Sequence, residues 1–163
     1  MLTALICCSV FSQEDEGDSF LRASATTAVT AEVIDFIDVV TLADIQVGQV
    51  QPSQEMVVLD PRQDAGAGLL MLRGRAGGSV RIAYTQQVQM RNLETNSILT
   101  VDYAISGNML NDQAASKLLT TNPELIVLSD DGEYYVWIGC SFSLNDVQPG
   151  QYDGDFVVEV EYP

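Results

Sequence analysis

Ile138–Tyr162, IGCSFSLNDVQPGQYDGDFVVEVEY, reads as one strand, a turn marked by Pro149-Gly150, and a closing strand with strict alternation. Phe156, Val158, Val160 and Tyr162 fall on one face, and Asp155, Glu159 and Glu161 dominate the other. A period of two with one apolar and one acidic side is the pattern of a half-buried strand. Working backwards, Tyr134, Val136, Ile138, Cys140, Phe142 and Leu144 share one face without exception. Two such runs around a Pro-Gly turn point to antiparallel β structure rather than helices.

Upstream the same alternation recurs. Leu99, Val101, Tyr103 and Ile105 form a return strand after Val80, Ile82, Tyr84, Val88 and Met90, with a turn at Asn92–Asn96. Met56–Leu59, Leu69–Arg73 and Leu125–Leu128 are short strands, and Gly74–Ser79 is a glycine-rich turn. Ile34–Val47 supplies one or two more strands before Gly48. Asp112–Leu119, DQAASKLL, is the only segment with a helical look, a single turn holding the sole lysine, Lys117. The expected architecture is all-β: an antiparallel β-sandwich of about eight or nine short strands.

The 163 residues fit a single domain with a proper core. Twenty-three acidic residues against seven basic ones, with no histidine, give a formal net charge of -16. Such a surface repels phosphate backbones and anionic membranes, so nucleic-acid binding is excluded as a function class and cations are the natural small partners. The uncharged MLTALICCSVFS of residues 1–12 reads as a secretory signal, with Val10 and Ser12 suiting a signal-peptidase site; the run is too short for a transmembrane anchor. Ile6 and Cys7, which precede Cys7 and Cys8, argue against a lipobox. Residues 13–22 then form an acidic flexible leader, and residues 23–163 a single sandwich domain. Removal of the signal leaves Cys140 alone and no internal disulfide. Ala23, Ala25, Thr27, Val29, Ala31 and Val33 alternate with mostly polar partners, as the first strand or as an arm that pairs with another sheet.

The closing block resembles a group of secreted bacterial domains of unknown function that are similar to fimbrial subunits. Their pattern ends in Val-Gly-Gly-Thr-Leu-x-Val, a linker, Gly-x-Tyr-x-Gly-x-Phe and an alternating Val-x-Val-x-Tyr. Ile138-Gly139-Cys140-Ser141-Phe142-Ser143-Leu144 stands for the first part, and Gly150, Tyr152, Gly154 and Phe156 for the second. Val158, Val160 and Tyr162 stand for the last. Cys140 departs from the pattern at its second glycine, and Val47 replaces an aromatic residue earlier on. The resemblance implies an immunoglobulin-like, pilin-like fold, cell-surface or fimbrial biology, and no enzyme activity.

Candidate chemistry is sparse. Asp130, Asp131 and Glu133 around Gly132 are weak candidates for Ca²⁺, because they lack the Asp-x-Asp-x-Asp-Gly spacing of a dedicated loop, and Asp-Gly is an ordinary hairpin turn. Cys140 shares parity with Val136 and Ile138 and reads as a small buried hydrophobe. Without histidine, no Cys-His or Ser-His nucleophile pair exists. Tyr135 and Trp137 take the opposite face, either as exposed contacts for a sugar or a partner, or covered by another part of the chain. Arg73, Arg75 and Arg81 cluster at the glycine turn as a contact for another acidic copy or as a solvated hairpin.

The expected function is a secreted structural or adhesive subunit on the surface of a Gram-negative bacterium, resembling a fimbrial protein, assembling by strand exchange with itself or another surface subunit. The competing class is a monomeric extracellular or periplasmic binding module for glycan or Ca²⁺. Neither class needs a cofactor.

Overall fold

The computed structural model describes residues 36–47, 54–145 and 147–163. Every described residue belongs to one compact unit, Asp35–Pro163. The expected signal, the acidic leader and the Ala23–Val33 strand lie outside the described residues.

Among the described residues eleven strands follow in order: β1 (Asp38–Ala43), β2 (Met56–Leu59), β3 (Gly68–Arg73), β4 (Ser79–Tyr84), β5 (Gln87–Asn92), β6 (Ile98–Asn108), β7 (Lys117–Leu118), β8 (Glu124–Val127), β9 (Glu133–Ser143), β10 (Tyr152–Asp153) and β11 (Val158–Glu161). Nine have four or more residues, in keeping with the eight or nine expected; β7 and β10 are two-residue ladders. All pairings are antiparallel. The larger sheet runs β1-β3-β9-β6-β5-β10, with β2 also on β9 and β7 on β6; the smaller runs β11-β4-β8.

The chain is an all-β sandwich because the inward positions of both sheets are apolar and meet in one layer. Leu70 and Leu72 of β3, Val101 and Ile105 of β6, and Tyr134, Val136 and Ile138 of β9 face Val80 and Ile82 of β4 and Ile126 of β8. Each fully buried aliphatic side chain contributes roughly 1.5–3 kcal/mol. The single described cysteine, Cys140, is unpaired, so this layer holds the domain without a disulfide.

Two segments cross between the sheets side by side. Tyr84 ends β4 in the small sheet, and Gln87 begins β5 in the large one. The parity shared by Tyr84 and Val88 therefore spans a crossover and not one strand. The closing stretch does the same in reverse: Tyr152–Asp153 pairs with β5, whereas Val158–Glu161 pairs with β4. Thr85 N–H donates to the Val157 carbonyl (3.0 Å) where the two crossings pass.

The helical turn expected at Asp112–Leu119 does not form. Asp112 Oδ1 accepts from Ala115 N–H (3.2 Å) in a turn, and Lys117–Leu118 then pair with Ser106 and Gly107 of β6. Eight residues cannot carry the cost of helix nucleation when a strand edge alongside offers backbone partners. Leu119 N–H completes the attachment on the Ile105 carbonyl (3.0 Å).

Candidate functional site

Among the described residues the small sheet is narrower than the sheet it covers, and it stops at β11 on one side. Opposite β11 stands β1, the edge of the large sheet, and between them runs a seam. Val39, Thr41, Ala43, Asp44, Ile45, Leu70, Ile138, Phe156 and Val158 line it, around a cavity of about 340 Å³. The walls are side chains whose parity points into the sandwich: Val39 and Thr41 lie across from Leu72 and Leu70, and Val158 across from Tyr84.

The backbone of β11 is half used. Because Thr85 and Val157 form a bonded pair, bonding pairs recur at every second residue, so Glu159 and Glu161 bond Ala83 and Arg81. The N–H and C=O groups of Val158 and Val160 then point away from β4, towards the seam. Among the described residues no strand takes them. One end of the seam is closed by Tyr162, whose hydroxyl donates to the Phe36 carbonyl (3.0 Å) and accepts from Arg75 N–H (2.8 Å).

The motif residues of the closing block build this region. Phe156 stacks on Tyr103 with ring centroids 4.4 Å apart, and Phe156, Val158, Val160 and Tyr162 all pack against the core, as their alternation predicts. Tyr152 also packs there and donates from its hydroxyl to the Gln148 carbonyl (2.7 Å). Gly150 has a φ of 147°, and a Cβ there would collide with the Asn92 side-chain amide. Gly139 is excluded from substitution by crowding: a Cβ would run into the Leu59 carbonyl and Pro61. Gly154 lies against Met90 and Val88, 2.9 Å from Met90 Cγ at the Cβ position.

Other sequence candidates fare differently. Trp137 is 4% exposed, so it is not a surface contact residue; the covered alternative describes it. Its face of the large sheet, shared with Met71 and Ser106, is overlaid by the Asp60–Ala67 loop: Ser106 Oγ donates to the Pro61 carbonyl (3.3 Å), and Gln113 Nε2 to the Pro61 and Asp64 carbonyls (3.1 and 2.9 Å). Alternation tells which face a side chain takes but not whether a loop covers that face. Tyr135 is half-buried beside Trp137 and donates to Glu133 Oε2 (2.8 Å), a bond that holds its phenol above its ordinary pKa.

That bond, with Arg73 Nη2 on Glu133 Oε1 (3.4 Å), occupies the Glu133 carboxylate. Asp130, Asp131 and Glu133 do not converge, and among the described residues no three such groups could hold a metal ion. Burial pushes the Cys140 thiol up, away from the thiolate a nucleophile needs. The arginines of the glycine turn serve their own chain: Arg73 pairs with Glu133, Arg81 with Glu161 (3.0 Å), and Arg75 sits over the Tyr162 ring, 5.7 Å from its centroid. None of the helices that could cross a membrane by length and apolarity occurs among the described residues.

No protein-family model matches the chain, and no curated protein matches it significantly. A solved structure that it matches is the CsuC-CsuE chaperone–tip adhesion subunit pre-assembly complex from the archaic chaperone-usher Csu pili of Acinetobacter baumannii, at 15% identity and a TM-score of 0.37. The match covers 78% of this chain, which spans 40% of the length of the chain it matches.

Proposed function

We propose that the chain is a secreted structural or adhesive subunit of a bacterial cell surface, immunoglobulin-like and pilin-like in its sandwich, that associates by strand pairing at the β11 edge. The observation that carries this reading is the row of backbone groups at Val158 and Val160 that no described strand takes, set over an apolar seam. An unpaired edge of this kind is a template for another strand. Filling the seam also removes apolar area from water, at roughly 25 cal/mol per Å². The alternating small residues from Ala23 to Val33 suit the inserted strand, from this chain or from another copy; another surface subunit offering a similar strand is the alternative partner.

The test is the assembly state of the mature chain. Ladders that survive unheated SDS, lost together with residues 13–33 while the fold persists, support strand exchange. A strictly monomeric, fully folded protein sinks it and favours the monomeric binding module.

A further inference from the structure

The other flank of the small sheet carries a second groove, and it does not depend on the reading above. Here β8 is the edge. A central antiparallel strand alternates its bonding partners, so β4 bonds β11 through Arg81, Ala83 and Thr85 and β8 through Val80, Ile82 and Tyr84. Asn122 confirms the alternation, since its side-chain amide takes both the N–H (3.1 Å) and the C=O (2.7 Å) of Tyr84. Leu125 and Val127 are left with N–H and C=O groups facing outward, and among the described residues no strand meets them.

Beside this edge lies a cavity of about 630 Å³. Its walls are Met109, Leu110 and Ala115 from the β6–β7 connection, and Val127 and Leu128 from β8 onward. Tyr134 forms the floor, held close to β6 because Gly107 has no Cβ to strike its ring. Leu110 is 69% exposed, Met109 44% and Val127 41%, so the apolar rim is concentrated around one concavity. The size is that of small-ligand sites, roughly 300–1,000 Å³.

Two charges mark this groove. Lys117 lines it from β7, and Asp130 from the β8–β9 turn. Neither makes an ion pair or side-chain hydrogen bond among the described residues, whereas Arg62, Arg73 and Arg81 are all in ion pairs with acidic residues. In a chain of net charge -16, the free ammonium of Lys117 is, among the described residues that line the groove, the side chain that attracts an anion.

We propose that this groove binds a short apolar peptide with free termini. Its carboxylate meets Lys117, its ammonium meets Asp130, its side chains lie among Met109, Leu110 and Val127, and its backbone bonds the outward groups of Leu125 and Val127. A lone anion would be opposed by Asp130 and a lone cation by Lys117, so a ligand charged oppositely at its two ends matches both. Peptide addition to a sheet edge draws affinity from the main chain and selectivity from the pockets.

The experiment is a chemical-shift titration of the full chain with trileucine. Saturable shifts are expected at the amides of Leu110, Lys117, Val127 and Asp130. Acetyl-trileucine amide, which has no terminal charges, is expected to bind about tenfold or more weakly, and Lys117→Met and Asp130→Asn are each expected to weaken trileucine by about tenfold. Unchanged β9 shifts show that the variants remain folded. No saturation by about 10 mM, equal binding of the capped peptide, or wild-type affinity in both variants overturns the proposal. Shifts of the same amides on dilution without peptide would make the groove an interface between copies and overturn it as well.

Discussion

The hydroxyl of Tyr162, the last residue but one, donates to the carbonyl of Phe36 at 3.0 Å and so ties the end of the chain to the start of the described domain. It also accepts from Arg75 N–H, so one phenol, just past β11, joins the segment ahead of β1 to the β3–β4 turn. This places the edges of the two sheets side by side and defines the seam between them.

Tyr162→Phe keeps the ring and removes both bonds. The orphaned groups are solvent-accessible, so the cost is modest, about 0.5–1.5 kcal/mol. Thermal unfolding should show a fall of a few degrees in Tm. A drop as large as that of a core truncation would mean that the ring's packing and not the hydroxyl had been disturbed.

Gly150 and Gly77 both have positive φ, but their surroundings differ. At Gly77, with a φ of 63°, nothing lies within 4 Å of a Cβ position, so Gly77→Ala should cost only the left-handed backbone penalty, about 1–2 kcal/mol. Gly150→Ala adds a collision with Asn92, whose Oδ1 accepts from Glu94 and Thr95 N–H at 2.9 and 3.0 Å. Chemical denaturation should rank Gly150→Ala as clearly the more damaging, by about 1 kcal/mol or more. Equal losses would show that Asn92 yields freely.

Trp137→Ala distinguishes a covered aromatic from a surface contact. Emptying a site that is 4% exposed should cost about 3–5 kcal/mol. Tyr135→Ala, which loses a half-buried ring and one bond to Glu133, should cost less. Near-neutral stability for Trp137→Ala would contradict its coverage by the Asp60–Ala67 loop.

Stability should fall in alkali. Burial, with a smaller contribution from Glu124, pushes Tyr134 up from the usual 10 to about 12, and burial also raises Cys140 and Tyr103. The folded state holds these protons more tightly than the unfolded state, so the stabilisation is complete below the unfolded pKa values and is lost as pH rises through the folded ones. For Tyr134 the loss runs between about pH 10 and 12 and amounts to at most roughly 2–3 kcal/mol. Urea midpoints should be flat below about pH 8, begin to fall once the ordinary cysteine range is entered, and decline further above about 10, less steeply in Tyr134→Phe. An identical decline in that variant would assign the effect elsewhere.

Much of the fold was legible because alternation is a local signal. β9, β6 and β11 could be read residue by residue, and Phe156, Val158, Val160 and Tyr162 take the core face their parity requires. What was hidden depends on partners distant in sequence. Nothing local distinguishes Tyr84 from Val88, yet one belongs to each sheet. Val39, Thr41, Leu70 and Ile138 look like any inward residues, and they line the seam because, among the described residues, the small sheet ends at β11. Whether Trp137 is exposed or covered was open in the sequence, because the loop that covers its face is anchored from Pro61 and Gln113. Lys117 was hidden inside an apparent helical turn that the β6 edge draws into a strand.

The β11 edge is proposed as the place where another strand pairs. Amide hydrogen exchange at Val158 and Val160, measured in the full chain at low and high protein concentration, tests it most directly. Pairing between molecules predicts protection of both amides that grows with concentration, while Glu159 and Glu161, bonded to β4, stay protected throughout. Fast exchange at Val158 and Val160 at every concentration, with Glu159 and Glu161 still protected, would contradict it.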